Sequence, residues 1–386
     1  MKNQNIKIVA PKCLQNYWFG YYDVTPWSLN EKSFVCMRSG FMDRPPQGDD
    51  IAEILLFCND NFVVPEKIGE TLAWNWQMGC RLQWNPLKPN SEVYYNNRQK
   101  DRFVCIKQNI KNRQKQIIEH PVYALSRSGK FAATLDFSRL HDCRPGYGYH
   151  GFADRNSKIN TPDDDGLYII NMDNGSKKMI LSIKQITAFE HSSDMDGCKH
   201  WINHVFWGPG DRRILFLHRW MNKNNVRITR LMTVDPAGTS LKCLGKSPII
   251  SHFDWQHEKY ILIWAEIQPY RQGLYMINES TGEIKIIEDE CFYTDGHCSW
   301  SPDKKWILTD TYPSAEKKLY QVFLYYPETQ IYNRVAIMQH PLKYRADCRC
   351  DLHPRWNRNG TKVCFDAVIE NSRKVCIADV SMLIKI

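Results

Sequence analysis

The stretch HVFWGPGDRRILFLHRW, His204 to Trp220, reads as a short strand ending in Trp, a polar turn and a second apolar strand. Its opening His-x-x-Trp recurs at His252–Trp255, His297–Trp300 and His353–Trp356, followed each time by the same grammar: QHEKYILIWAE, SPDKKWILTDTY and NRNGTKVCFDA. The pattern returns without the His after Trp27 (SLNEKSFVCM), Trp84 (NPLKPNSEVYYNN) and Leu125 (SRSGKFAATLDF). Seven units result, spaced roughly 40 to 80 residues apart, and repeats of four short strands near that period mark a β-propeller.

Further strand pairs after each anchor, such as GLYIINMDNGSKKMILSI (166–183) and GLYMINESTGEIKIIE (273–288), supply the outer halves of the blades. The last one, RKVCIADVSML (373–383), is too short. The N-terminal IKIVA (6–10) is expected to complete it, pairing first and last segments so that no open sheet edge remains. The fold class is therefore all-β, a seven-bladed propeller, with residues 1–386 in a single domain and an inserted loop at about 137–165.

Composition narrows the function. The formal net charge is +9, yet no run of five or six like charges occurs, which argues against a nucleic-acid-binding tail. Such a distributed field favours an anionic ligand, for example a uronic-acid sugar. No apolar run approaches the roughly 18 residues of a membrane span, and the start MKNQNIKIVAPK lacks a signal-peptide core. A cytoplasmic location is expected. Of the 14 cysteines, Cys36, Cys105, Cys364 and Cys376 fall inside expected strands, where a reduced thiol packs as a small apolar group. Cys348-x-Cys350 does not have the spacing of a zinc pair. Enrichment in Lys, Asn and Ile is compatible with an AT-rich bacterial genome.

Equivalent positions on successive blades share a radius and a height, so four anchor histidines would ring the propeller axis. The bland alternative is a packing device internal to each blade. Asp351 and His353 stand two apart, so on extended chain both side chains face one way. With His297, preceded by Asp295 at the same spacing, they form a mixed N/O set suited to Mn, Zn or Fe. Asp-x-His pairs also occur as hydrogen-bonded structural pairs. The inserted loop carries Arg144, Tyr147, Tyr149 and His150, types that stack on sugars and clasp anions, before a half that reads as plain polar linker. Tyr21, Tyr22 and Asp23 enter blade 1, and Asn75, Gln77 and Arg81 enter blade 2, so the blades without His are expected to offer a substrate-binding rim for a sugar, Arg81 among it.

On the run from His204 to His218, the block Ser251-His252-Phe-Asp-Trp255, Gly296-His297-Cys-Ser-Trp300 and His353-Pro-Arg, the chain resembles the oligogalacturonate lyases, mainly in its C-terminal half. These are seven-bladed propellers that bind manganese near the axis through His and Gln. The resemblance implies that His252 is the base, that His297 and His353 are metal ligands, and that Arg219 or Arg227 partners the substrate carboxylate. His204 and His218 are candidates for substrate binding or for protonating the leaving oxygen. Two departures stand out: Asp351 replaces a further His, and Cys348 and Arg349 stand where the family has Gln. Metal binding would then persist through the carboxylate, or Arg349 would replace the ion's charge at the substrate.

The implied chemistry is β-elimination on an acidic oligosaccharide. Loss of the C5 proton becomes feasible when a metal or Arg neutralises the developing charge. Two other functions fit a propeller. One is a non-catalytic scaffold resembling TolB or WD40 proteins that docks a glycan or protein. The other is a glycoside hydrolase, which needs two carboxylates from among Asp23, Asp295, Asp310 and Asp351.

Overall fold

The computed structural model describes residues 6–10, 12–59, 61–267, 271–313, 318–341 and 343–385. Seven antiparallel four-stranded sheets follow one another along the chain. Their innermost strands are Asn16–Trp18, Gln83–Trp84, Ala124–Leu125, His200–Trp207, Ile250–Trp255, Ser299–Trp300 and Arg355–Trp356. In the seventh sheet, Ile6–Ile8 pairs with Ser372–Asp379, with Ile6 opposite Ala378 and Ile8 opposite Cys376. That blade therefore combines both ends of the described chain.

Strands read as nearly continuous apolar runs because both faces of a blade are covered by neighbours. Within Ser33–Ser39, Val35 and Met37 pack with Val93, Tyr95 and Val104 of blade 2. The alternate residues Phe34 and Cys36 pack instead with Cys364, Val375 and Ile377 of blade 7. Leu215, Leu217 and Leu231 of blade 4 meet Ile261, Ile263 and Tyr275 of blade 5 in the same way. Each such side chain contributes about 1.5–3 kcal/mol when fully buried. All 14 cysteines are free thiols, nine of them buried. Among the described residues, no helix is long and apolar enough to cross a membrane.

Blade 1 departs from the repeat. Its inner strand stops at Trp18 and resumes only as a single bridge between Trp27 and Phe34. The chain between them turns Tyr21 and Tyr22 onto the axis. The excursion is stapled from blade 7 by buried Arg355, which donates from Nε to the Tyr21 carbonyl (3.1 Å), from Nη2 to the Gly20 carbonyl, and to Asp366 (2.9 Å).

The inserted loop is built around one side chain. Asp136 caps the short helix Phe137–Cys143 by accepting from the backbone N–H of Ser138 and Arg139. Arg139, buried, donates to Asp154 Oδ2 (3.0 Å) and to the carbonyls of Asn156, Ile159, Asn160 and His200. The half expected as plain linker is thus wrapped around a guanidinium, a role that composition does not reveal. Lysine keeps the charge but not the planar fork. Arg139→Lys should cost about 1–3 kcal/mol in urea unfolding, with faster proteolysis between residues 144 and 165. Unchanged stability and cleavage would show that the loop holds its shape without this fork.

Candidate functional site

Two of the inner strands are bulged where they meet the axis. Between blade 4's first two strands, the register passes from Asn203 opposite Leu217 to Phe206 opposite Leu215, so His204 and Val205 share one partner position. Blade 5 repeats this with Ser251 and His252, between Ile250 opposite Ala265 and Phe253 opposite Ile263. A bulge of this kind re-aims a side chain. His204 (φ 51°) and His353 (φ 43°) also adopt left-handed backbone, a conformation that costs of order 1–3 kcal/mol at non-glycine residues and concentrates at functional sites.

The four anchor histidines converge. Ring centroids of His252 and His297 are 4.0 Å apart, those of His297 and His353 4.3 Å, and those of His204 and His252 6.0 Å. Tyr21 sits among them, 4.9 Å from His204 in a near-parallel stack, 5.0 Å from His353, 5.9 Å from His297 and 6.1 Å from His252. The cluster is buried, with His297 and His353 each 1% exposed. Above it lie partly exposed groups, including Asp295, Arg349, Tyr312, Arg227 and Arg144.

Each histidine has a distinct environment. His252 Nδ1 lies 3.0 Å from Asp295 Oδ1, which leaves Nε2 with the lone pair. Burial, then neighbouring His297, lower its pKa from the ordinary value, with Asp295 opposing. His297 Nδ1 is held at 3.0 Å by both oxygens of Asp310. Burial disfavours its charged form, but Asp310, Asp351 and Asp295 outweigh that and raise its pKa. His353 is pushed well down by burial and then by His297, and its Nε2 is buried without a hydrogen-bond partner. His204 is likewise depressed by burial and then by Arg219.

The surroundings of His204 fix its tautomer. Its Nε2 is 3.1 Å from the Tyr21 hydroxyl, whereas its Nδ1 is buried and unpartnered. A buried N–H without an acceptor is rarer than an acceptor without a donor. The proton therefore resides on Nε2 and is donated to the Tyr21 oxygen, which leaves the Tyr21 hydroxyl proton for another acceptor.

The expected metal set converges: donor atoms of His297, Asp351 and His353 lie within 4.8 Å of one another. Asp295 does not join them. The chain from Asp295 to Cys298 precedes the strand, so the two-residue alternation fails there, and Asp295 turns to His252 of the preceding blade. Asp351 also accepts a two-pronged contact from Arg349 (2.5 and 2.6 Å) and one from Tyr320 (3.2 Å). Burial raises its pKa, but Arg349 and His297 outweigh this and hold the carboxyl low. The residues fit a divalent cation: His353 Nε2 lacks a partner, and His297 is oriented through its other nitrogen by a carboxylate, the usual support of a metal-binding imidazole. A carboxylate's four lone-pair sites leave Asp351 capacity beyond Arg349 and Tyr320.

Arg144, Arg219 and Arg227 form the basic side of the site. Burial, then Arg227 and Arg144, push the Arg219 guanidinium down to about 9, still cationic at neutral pH. Arg227 is lowered by burial and then by Arg144. Among the described residues, none of the three has a carboxylate in ion-pair contact, and Arg144 stacks over Tyr147 at 4.9 Å. Tyr147 in turn meets Tyr21 and His204 edge-on at 6.2 and 5.5 Å.

Other expected site residues lie elsewhere. Arg81 is buried in a fork with Asp23 (2.9 and 2.6 Å) and donates to the Tyr123 carbonyl. His218 lies farther out in blade 4, between His200 (2.9 Å) and Arg230 (3.1 Å). Tyr149 stacks on Phe137 at 4.3 Å and bonds Asn96, while exposed His150 abuts His141. Asp310 and Tyr312 were not singled out as partners of His297; they lie on the second strand of blade 6 and just beyond it, where no motif marks them.

No family model matches the sequence, and no curated protein matches it. Solved structures do. An oligogalacturonate lyase in complex with manganese superposes with a TM-score of 0.70 at 11% identity, covering 97% of this chain and 93% of that one. An oligogalacturonate lyase from Vibrio parahaemolyticus gives 0.66 at 12% identity, covering 100% and 99%. What the chain shares with them at these identities is the propeller fold.

Proposed function

We propose that this propeller is a lyase that cleaves a uronate-containing oligosaccharide by β-elimination. The observation that supports this best is the set of three guanidiniums without carboxylate partners beside the buried histidines. Such a set calls for an anion, and a uronate places its carboxylate next to the C5–H bond that must break.

In this reading Arg219, with Arg227 and Arg144, holds the carboxylate. His252 takes the C5 proton on Nε2 while Asp295 fixes Nδ1. The electron pair of that bond becomes the C4–C5 double bond, the C4–O bond to the next sugar breaks, and Tyr21 gives its proton to the leaving oxygen. Burial keeps Tyr21 protonated until then, its pKa well above the ordinary value. His297, Asp351 and His353 would hold a divalent cation, manganese suiting the N/O set, whose charge offsets that developing on the carboxylate. Arg349 keeps Asp351 ionised for that task.

The test is incubation of purified protein with manganese and oligogalacturonates, following the ultraviolet absorbance of the unsaturated product beside measured metal content. Absorbance growth supports the lyase. Its absence with every uronate oligosaccharide tried would favour a propeller that binds a glycan or protein without reaction. Because His252 is depressed, its neutral form persists on acidification, so the acid limb of kcat/KM should lie below about pH 6.5. A limb clearly above that value would assign the base elsewhere.

A further inference from the structure

We propose that the opposite mouth of the propeller is a second binding site, for a small organic carboxylate or phosphate held by Arg127 and Arg358 over a floor of anchor tryptophans. The proposal stands independently of the lyase reading.

The His-x-x-Trp signature has two ends. Three residues of extended chain span about 10 Å, so the histidines and the tryptophans of the same inner strands face different ends of the axis. At the tryptophan end two adjoining cavities open, of about 420 and 280 Å³. The larger is floored by Trp84 and Trp207, the smaller by Trp300 and Trp356. Both are lined by Arg127 and Arg358, which project from the turns after the inner strands of blades 3 and 7. The larger lies within the size range of small-ligand sites, and both set charged groups beside apolar side chains.

The charges there are unbalanced. Asp23 is neutralised by the buried Arg81 fork. Asp254 accepts the backbone N–H groups of Trp255 and Trp300, both at 2.8 Å, and lies 3.8 Å from Lys304. The acids are therefore satisfied within the protein. Arg358 is half-buried and donates from Nε to the Trp27 carbonyl at 3.1 Å, while Arg127 is exposed. Among the described residues, neither guanidinium pairs with a carboxylate. Glu31 is close enough to favour the Arg358 cation, but its oxygens accept from Asn357 Nδ2 (3.0 Å) and the Asn359 N–H (2.8 Å). A partly desolvated guanidinium outside ion-pair contact is stabilised by an oxyanion that fits its fork.

Tyr22 separates this mouth from the histidine cluster. It lines the smaller cavity, its hydroxyl is clamped by the carbonyl and N–H of Phe253 (2.9 and 2.8 Å), and its ring lies 5.6 and 5.5 Å from His252 and His297. Changes at Arg127 or Arg358 therefore leave the upper site in place.

Titration calorimetry and tryptophan fluorescence with phenyl phosphate and benzoate, and with benzyl alcohol as the neutral control, test the proposal. Saturable binding of either anion but not of the alcohol is expected, and which anion binds more tightly distinguishes phosphate from carboxylate. Arg127→Ala/Arg358→Ala should weaken it by about tenfold or more. Arg127→Glu, a change on an exposed side chain that spares folding, should abolish it. Arg219→Ala/Arg227→Ala should leave it unchanged. No saturable binding by wild type, equal affinity in the lower-mouth variants, or loss only in the upper-site variant would each overturn the proposal.

Discussion

His252→Ala should lower kcat on an oligogalacturonate by about 10²–10⁴-fold, the usual share of a general base, while leaving metal content and melting temperature nearly unchanged. The expectation rests on geometry. His252 Nδ1 is committed to Asp295 at 3.0 Å, and the ring lies 4.0 Å from that of His297, so its free nitrogen is beside the metal set without belonging to it. Asp295→Asn separates two roles for the carboxylate. If Asp295 serves to fix the tautomer, the variant loses kcat with little change in KM, because an amide can donate to Nδ1 and so move the proton onto Nε2. A loss below about tenfold in His252→Ala would remove it as the base, since that lies under the range for such groups.

The propeller was legible because its repeat is written in side-chain types: an anchor that is Trp in six units and Leu125 in the other, a polar turn and an apolar run return seven times. The missing fourth strand of the last blade was legible by elimination, and Ile6–Ile8 occupies that place. The broken inner strand of blade 1 was not. Trp27 looked like an ordinary anchor, whereas the strand begins at Asn16, and the interruption between them carries Tyr21 to the centre of the site. Within the site, His252, His297, His353 and Asp351 came together because repeat position encodes radius and height. The carboxylate partners did not follow from spacing. Asp295 reaches across to the preceding blade, and Asp310 reaches His297 from an adjacent strand, which only register and backbone turn decide. Arg81, His218, Tyr149 and His150 show the converse: residue types suited to a site, absorbed by neighbours that sequence does not place beside them.

Arg355→Leu should cost about 3–5 kcal/mol of stability, because it leaves the Asp366 carboxyl, whose pKa burial already raises, buried without its partner. Both side chains are at most 1% exposed, so water cannot compensate. The same guanidinium also holds the carbonyls of Gly20 and Tyr21, while Asp366 accepts the N–H of Phe19 at 3.3 Å. The pair therefore has two consequences that a double variant pulls apart. Arg355→Leu/Asp366→Leu removes the stranded carboxyl and should recover part of the lost stability, since apolar replacement of a buried ion pair is often neutral. It restores none of the contacts that fix residues 19 to 21, so Tyr21 stays unanchored among the histidines. Denaturant unfolding should then place the double variant above Arg355→Leu, while its kcat remains as low as that of the single variant. Recovery of activity in step with stability would mean that Tyr21 is positioned by its contacts with His204 and Tyr147 alone, and that Arg355 serves only the fold.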